Sequence, residues 1–232
     1  MRTILIAIIL LLGGNAFATW SIIIVDPATG EIGIAGASCT KNCYGIGEII
    51  PGKGAIIVQA MSNSKARSKG VQMILTNHSP DEIIAALMDS YFDPERQQYA
   101  VITLKHFKAP ITYTGDSTRV YKGALTTNGI SVQGNTLANE TVLEKILHIA
   151  QKGKDDKLQI DEILMLALEA GSQAGGDVRC GEQRATSAFI TVAKATDKKP
   201  YLNLMIFNQV KGGPNAVSML RKKYDRWKSK RA

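Results

Sequence analysis

The chain has 232 residues, of which 45% are hydrophobic and 21% are charged, and these proportions are ordinary for a globular protein. Its length suits one domain with a substantial core, and only one long apolar run occurs, so no second membrane-spanning segment is expected. The formal net charge is +8, and part of this excess lies in a basic tail from Arg221 to Arg231. A solvated helix end is the ordinary explanation of the tail, and contact with an anionic surface such as lipid headgroups or cell-wall polymer is the alternative.

The first 18 residues have the pattern of a secretory signal peptide. Arg2 provides a basic start, and Ile4–Leu12 is an apolar run that is too short to span a bilayer comfortably. Ala16–Ala18 has the small-residue pattern after which signal peptidase cuts. The sequence therefore predicts a signal peptide over 1–18 and a secreted or periplasmic domain over 19–232. An uncleaved anchor is the alternative.

Cleavage after Ala18 would leave Thr19 at the amino terminus, where one residue carries both a nucleophile and a base. The α-amino group has a pKa of about 7.7–8.0 and can accept the hydroxyl proton, directly or through water. Thr19 is thus a candidate catalytic nucleophile. A terminus that is merely processed, with no chemical role, is the alternative.

The first part of the mature chain predicts four strands and two helices. Strand-forming runs at Trp20–Val25 and Glu31–Ala37 flank Pro and Gly turn residues and predict a hairpin. Two further strands are expected at Gly45–Ile50 and Ala55–Gln59, followed by a helix at Lys65–Leu75. A second helix begins at a capping box, in which the Ser79 hydroxyl serves the first turn and Glu82 reaches back to the Ser79 amide.

The second half repeats this order of strands and then helices. Strand groups and helix pairs alternate in blocks, which favours antiparallel sheets with helices segregated on their outer faces. The predicted strands are Tyr99–Leu104, Ile111–Tyr113, Ile130–Gln133, Ser187–Val192 and Tyr201–Phe207. The predicted helices run from a cap at Asn139 to about Ala150, through the apolar face Ile160–Leu168 to a stop before Gly175, and onward from Pro214.

The three cysteines predict one disulfide and one remaining thiol in an oxidising compartment. We expect Cys180 to pair with Cys39 or Cys43, with Cys39 preferred because it follows a strand near Thr19. The histidines are scattered, and the cysteine spacing matches no common zinc framework, so no metal site and no cofactor are expected.

Polar residues at strand ends and in loops are the other candidates for a functional site. Each can bind substrate, or it can satisfy buried backbone groups or form an internal ion pair. The amides of this group are Gln59, Asn63, Gln133 and Asn135, and the charged residues are Asp177 and Arg179.

These stretches together resemble one family, the bacterial and archaeal Ntn-hydrolase-like proteins grouped as domain of unknown function 1028. The resemblance covers about residues 19–192. It is carried, in chain order, by Thr19–Ile22, Asp26–Ser38, Pro51–Ala55, Gln59 with Asn63 and Gly70, Gln133–Leu137, and Glu169–Arg179. The chain departs from the family pattern N-P-x-Y-G after Asn63, where it has Ser64–Arg67, so an aromatic substrate contact is missing.

The resemblance implies the Ntn-hydrolase fold, an α+β four-layer αββα sandwich with two antiparallel sheets between helix layers. It also implies that the nucleophile is the first residue of the mature first strand, which is Thr19. The amides at Gln59, Asn63, Gln133 and Asn135 are then candidates for oxyanion or substrate binding, and Asp177 and Arg179 for ordering the site. The candidates to tune the amine are Lys41, Glu48 and Lys53.

Two functions follow as hypotheses. The first is a secreted amidohydrolase in which Thr19 attacks a C–N bond of a small-molecule or peptide amide. The second is a secreted binding or structural domain that keeps the fold without the chemistry. We expect no nucleic-acid partner and no stable membrane insertion after cleavage, and assembly of identical chains stays open.

Overall fold

The computed structural model describes residues 19–231, and the predicted signal peptide lies outside this range. Within it the chain forms ten β-strands and five α-helices, arranged as two antiparallel sheets with helices packed against them. The protein is therefore of the α+β class.

The larger sheet has six strands in the order β10-β9-β2-β1-β8-β7, and every neighbouring pair is antiparallel. The two central strands are β2 and β1, and β1 lies between β2 and β8. The strands are β1 Thr19–Val25, β2 Ile32–Ser38, β7 Gly123–Thr127, β8 Ile130–Asn135, β9 Ser187–Ala193 and β10 Leu202–Ile206.

The smaller sheet has four strands in the order β3-β4-β5-β6, again all antiparallel. Both inner strands, β4 and β5, are fully buried. The strands are β3 Gly47–Ile50, β4 Gly54–Ala60, β5 Gln97–Thr103 and β6 Ile111–Thr114.

Three apolar clusters divide the molecule into four layers. One cluster packs α1 and α2 on the outer face of the four-stranded sheet, a second fills the space between the sheets, and a third packs α3, α4 and α5 on the outer face of the six-stranded sheet. Layered burial of this kind lets each amphipathic helix and each sheet face cover the other. The helices are α1 Ser64–Leu75, α2 Pro80–Leu87, α3 Thr141–Asp155, α4 Ile160–Gln173 and α5 Ala216–Ser229.

Side-chain alternation along β1 assigns its two faces. Trp20, Ile22 and Ile24 belong to the cluster under the helices, whereas Ile23 and Val25 belong to the cluster between the sheets. Because successive side chains on a strand point to opposite faces, Thr19 faces the space between the sheets.

Most predicted elements are present, with boundaries shifted by a few residues. The hairpin of the first two strands forms, and the Ser79 amide donates to Glu82 Oε2 at 2.8 Å at the start of α2. The helix after Asn139 extends beyond Ala150 to the end of α3. Strand β7 at Gly123–Thr127 was not predicted.

Candidate functional site

Thr19 occupies the end of a central strand of the larger sheet. It pairs with Ser38 of β2 on one side and with Asn135 of β8 on the other. The residue is buried, and its hydroxyl makes no hydrogen bond within residues 19–231. A hydroxyl held in a rigid sheet without a structural partner is suited to chemistry rather than to support.

A cavity of about 250 Å³ lies at Thr19, at one end of the space between the sheets. Its walls come from four places: the first residue of β1, the loop after β2, the end of β4 with the turn that follows it, and the first turn of α1. The lining residues are Thr19, Thr40, Asn42, Cys43, Tyr44, Gly45, Ile46, Ala60, Ser62 and Arg67.

The end of β4 and the turn that follows it carry two residues in left-handed backbone conformations. Ala60 has a φ of 69° and Ser62 a φ of 52°, and non-glycine residues seldom adopt such values. Both line the cavity. Neither the N–H nor the hydroxyl of Ser62 makes a hydrogen bond within the described chain. The turn therefore brings two uncommitted donors to the wall of the cavity.

Behind Thr19, a buried network of amides and hydroxyls joins the two sheets. Ser21 Oγ donates to Gln59 Oε1 at 2.7 Å and accepts from Gln133 Nε2 at 2.6 Å. Gln98 Oε1 accepts from Gln59 Nε2 at 2.7 Å and from Asn135 Nδ2 at 3.2 Å. Since buried polar groups are costly unless they are paired, this network fixes the separation and register of the sheets at the Thr19 end.

Gln98 makes the most hydrogen bonds in this network, and it is not among the residues that the sequence predicts for the site. Its Nε2 lies 2.8 Å from Thr114 Oγ1 and 3.0 Å from the carbonyl oxygens of Gly123 and Gly134. The signal in the sequence is a glutamine at the second position of a strand that is otherwise apolar on the same face.

Three of the four predicted amide residues belong to this network. Gln59 also approaches the backbone carbonyl of Thr19, with 3.4 Å between Nε2 and O. Gln133 bonds to Ser21 and accepts from Ser131 Oγ at 2.7 Å. Asn135 sits beside Thr19 in the sheet. These amides lie behind Thr19 and are not part of the cavity lining.

Asn63 is placed elsewhere, as the N-cap of α1. Its Oδ1 accepts from the amides of Lys65 at 2.9 Å and Ala66 at 3.1 Å, and its Nδ2 donates to the Phe92 carbonyl at 3.0 Å. An Asn directly before a helical stretch is the standard signal for such a cap.

Asp177 and Arg179 form an ion pair that is anchored to the end of β2. Asp177 is fully buried, and its Oδ2 accepts from the Cys39 amide and from Arg179 Nη2, both at 2.7 Å. Its Oδ1 accepts from the amide and Nε of Arg179, each at 3.0 Å. Ser38 is the strand partner of Thr19, and Cys39 is the next residue after Ser38. The Asp177 carboxylate therefore holds the backbone close to Thr19.

The disulfide joins Cys39 to Cys180, the preferred one of the two expected pairings. It covalently links the end of β2 to the loop that carries Asp177. Cys43 remains as a thiol, and burial raises its pKa from about 9 to about 12. The thiol is therefore protonated at neutral pH, although the residue lines the cavity.

The candidates for tuning the amine are not brought to the cavity lining. Lys53 lies in the turn that precedes β4, and its Nζ donates to the Leu75 carbonyl at 2.9 Å. That turn is at the far end of β4, roughly 20 Å from the Thr19 end at about 3.3 Å per strand residue. Neither Lys41 nor Glu48 lines the cavity.

A larger groove of about 950 Å³ lies at the opposite end of the sheet, beside the turn between β1 and β2. Its charged groups are engaged within the protein: Tyr201 donates a short hydrogen bond to Glu31, and the Arg231 guanidinium lies 4.6 Å from the Trp227 ring centroid. Burial, followed by the bond to Glu31, raises the pKa of Tyr201, so its phenol stays a donor. The smaller cavity at Thr19 is the stronger candidate.

Residues 19–231 were the basis of two observations on the class of site that concern metal ions and membranes. No group of three or more His, Cys, Asp or Glu side chains could hold a metal ion in this part of the chain. None of the helices formed by these residues is long and apolar enough to cross a membrane.

Fold and site together define an α+β sandwich with a threonine-lined cavity at the end of a central strand. The sequence model of the family described as "Family of unknown function (DUF1028)" matches residues 19–211, and the chain belongs to this family. A crystal structure of a DUF1028 protein from Silicibacter pomeroyi superimposes with a TM-score of 0.76 at 23% identity, covering 90% of this chain and 85% of that one. At that identity the likeness concerns the fold. No curated protein matches the chain.

Proposed function

We propose that the protein is a secreted N-terminal-nucleophile amidohydrolase whose nucleophile, Thr19, is exposed by cleavage after Ala18. One observation carries the proposal. Thr19 is the first residue of a central strand of the larger sheet and lines a cavity between the sheets. Its hydroxyl makes no structural hydrogen bond within residues 19–231. The family match also begins at Thr19, directly after the predicted cleavage site.

The layer arrangement supports assignment of the fold to the Ntn-hydrolase type. Two antiparallel sheets pack face to face between helix layers, and the candidate nucleophile opens the first strand of the mature chain. In this arrangement the nucleophile needs no partner side chain as base, because its own α-amino group is held beside its hydroxyl.

The proposed reaction has two steps. Thr19 Oγ1 attacks the amide carbonyl carbon while its proton passes to the α-amino group, directly or through a water. Collapse of the tetrahedral intermediate breaks the C–N bond, the leaving amine takes the proton, and an acyl ester forms on Oγ1. Water then attacks the ester, the carboxylic acid leaves, and the hydroxyl and amine of Thr19 are restored.

The oxyanion of each intermediate needs fixed donors close to Thr19. The N–H of Ser62 is our candidate, because Ser62 lines the cavity and its N–H makes no hydrogen bond within the described residues. The left-handed conformations at Ala60 and Ser62 support this assignment, since strained backbone persists where the surrounding structure holds it.

Gln59 and Asp177 are proposed as positioning residues rather than as reacting groups. Gln59 holds the Thr19 carbonyl from behind, and Asp177 holds the backbone that follows the strand partner Ser38. Placing the nucleophile to within a fraction of an ångström matters, because small misplacements lower the rate strongly.

The proposal is tested by expressing the full chain in a secreting bacterial host and measuring the intact mass of the exported protein. We expect a mature chain that begins at Thr19. This protein is then screened against a panel of amides, with Thr19→Ala as the inactive reference and Thr19→Ser as a variant that keeps both nucleophile and amine.

Two outcomes would contradict the proposed catalytic function. A mature terminus at another residue removes the base that the mechanism needs. A correctly processed protein that binds amides in the cavity but cleaves none of them would favour the alternative, a secreted binding domain that retains the fold without catalysis.

A further inference from the structure

Arg67 is the only charged residue among those that line the cavity at Thr19. Its side chain is partly exposed, and it has no ion pair or side-chain hydrogen bond within residues 19–231. The other cation of the same helix turn, Lys65, is engaged, since its Nζ lies 2.6 Å from Tyr91 Oη. None of the described lining residues carries a carboxylate, so none of them neutralises the charge of Arg67 there.

The position of Arg67 on α1 is unfavourable for the helix itself. The residue lies in the first turn, where the positive end of the helix dipole favours acidic side chains and disfavours basic ones. This turn carries no acidic residue. Helix stability therefore does not account for a cation here, whereas binding of an anion would benefit from both the guanidinium and the dipole.

We infer that Arg67 binds a carboxylate of the substrate, so that the site takes small amides with a carboxylate group a few bonds from the scissile bond. Guanidinium groups bind carboxylates through two parallel hydrogen bonds, which gives both affinity and orientation. This inference rests on the proposed function, since it places the amide of the same molecule at Thr19.

The cavity volume limits the size of the group that carries the carboxylate. About 250 Å³ corresponds to roughly eight water volumes, which is enough for a single amino-acid residue or a short diacid chain. The remaining lining side chains with hydrogen-bonding groups, including Thr40, Asn42 and Ser62, suit a small polar ligand rather than a lipid chain.

The carboxylate can belong to the acyl part or to the amine part of the amide, and matched probes separate these sources. Glutaryl p-nitroanilide carries it on the acyl side and N-acetylalanine on the amine side. For each probe the control ligand is the primary carboxamide, which has nearly the same shape and no charge. Dissociation constants are measured by calorimetry on processed Thr19→Ala protein, and hydrolysis rates on processed wild type.

We expect at least one carboxylate probe to bind more tightly than its carboxamide, and Arg67→Gln to reduce this preference about tenfold or more. Arg67→Lys should restore part of it. Lys69→Gln makes the same charge change on the same helix outside the cavity lining and should leave the preference unchanged.

Equal binding of carboxylate and carboxamide, no measurable binding of either carboxylate probe, or an unchanged preference in Arg67→Gln would each overturn the inference. The proposed function fails separately. If Arg67 controls carboxylate binding and processed wild type hydrolyses no amide, the ligand class stands and the hydrolase assignment does not. If processed wild type hydrolyses an amide and Arg67→Gln does so equally well, the hydrolase assignment stands and the proposed ligand class does not.

Discussion

The backbone N–H of Cys39 donates to Asp177 Oδ2 at 2.7 Å, although 138 residues separate the two positions. The same cysteine forms the disulfide with Cys180, three residues after the aspartate. A charge-assisted hydrogen bond and a covalent bond thus fasten one loop to the end of β2, directly beside the strand pairing of Thr19. The hydrogen bond and the disulfide should therefore both stabilise the end of β2 and the loop from Asp177 to Cys180.

Asp177→Asn should lower the free energy of unfolding by about 2–3 kcal/mol. The change removes a buried charge that accepts from Arg179 and from the Cys39 amide, and such bonds contribute about 1.5–3 kcal/mol each with a charged partner. Urea unfolding measures the loss. Glu182→Gln in the same loop is the control, because its ion pair with Arg184 is exposed and should contribute less than about 1 kcal/mol. Equal effects would contradict the assigned role of Asp177.

Replacing both Cys39 and Cys180 by alanine should destabilise the protein by about 2–5 kcal/mol, because the disulfide closes a loop of 141 residues that is otherwise unrestrained in the unfolded chain. Thermal unfolding with and without reductant measures this effect. The double variant should be insensitive to reductant, whereas wild type should lose stability on reduction. Peptide mapping that finds these thiols unpaired in the exported protein would count against the pairing.

Gln98→Leu should lower stability by at least about 3 kcal/mol. It keeps most of the side-chain volume but leaves the amides of Gln59 and Asn135 without their shared acceptor, and each unsatisfied buried group costs about 1–3 kcal/mol. Denaturant unfolding measures the change. Gln72→Leu on the exposed face of α1 is the matched control and should stay within about 0.5 kcal/mol of wild type.

Thr19→Ala should abolish amide hydrolysis and reduce stability by about 1 kcal/mol. The small stability loss is expected because Thr19 is buried, so its methyl group contributes packing, whereas its hydroxyl has no structural hydrogen bond in the described chain. Thr19→Ser should retain part of the activity. If Thr19→Ala hydrolyses a confirmed substrate as fast as wild type, the nucleophile lies elsewhere.

Cys43 should make stability fall at high pH. Burial raises the pKa of its thiol from about 9 to about 12, so the folded protein keeps a proton that the unfolded chain loses. The contribution is fully present below pH 9 and is lost between about pH 9 and pH 12, at up to about 1.4 kcal/mol per pH unit.

The measurement for Cys43 is the difference in unfolding free energy between wild type and Cys43→Ala across pH 8–11, which removes the effect of other groups that titrate in this range. A difference that does not depend on pH would show that the thiol is not held protonated by the fold. The native thiol should also resist alkylation at pH 8 and react once the protein is unfolded.

Local signals in the sequence were sufficient for most elements of the fold. Pro and Gly turns placed the first hairpin, and the Ser79–Glu82 pattern placed the start of α2, because both depend on residues close in the chain. The sequence does carry a turn signal for strand β7, because Asn128-Gly129 forms the two-residue loop to β8, but Gly123–Thr127 is an edge strand without apolar alternation. Its place in the sheet depends on pairing with β8.

The candidate site was harder to predict, because its geometry depends on contacts between distant strands. The position of Thr19 followed from the cleavage pattern and the family resemblance. The role of Gln98 depends on β5 facing β8 across the two sheets, which no local pattern encodes. Asn63 was considered for substrate binding, and its place before a helix already indicated a cap.

The strand order of the larger sheet has a consequence for how the site is assembled. The strand that carries Thr19 is synthesised first. Its neighbour β8 lies far along the chain, and β9, the second neighbour of β2, is synthesised later still. Pairings of such high contact order form slowly. Within this sheet, a growing chain that has not yet reached β7 can form only the hairpin of β1 and β2, so Thr19 is the earliest part of the candidate site to be synthesised, and its pairing with Asn135 of β8 is among the later contacts to form.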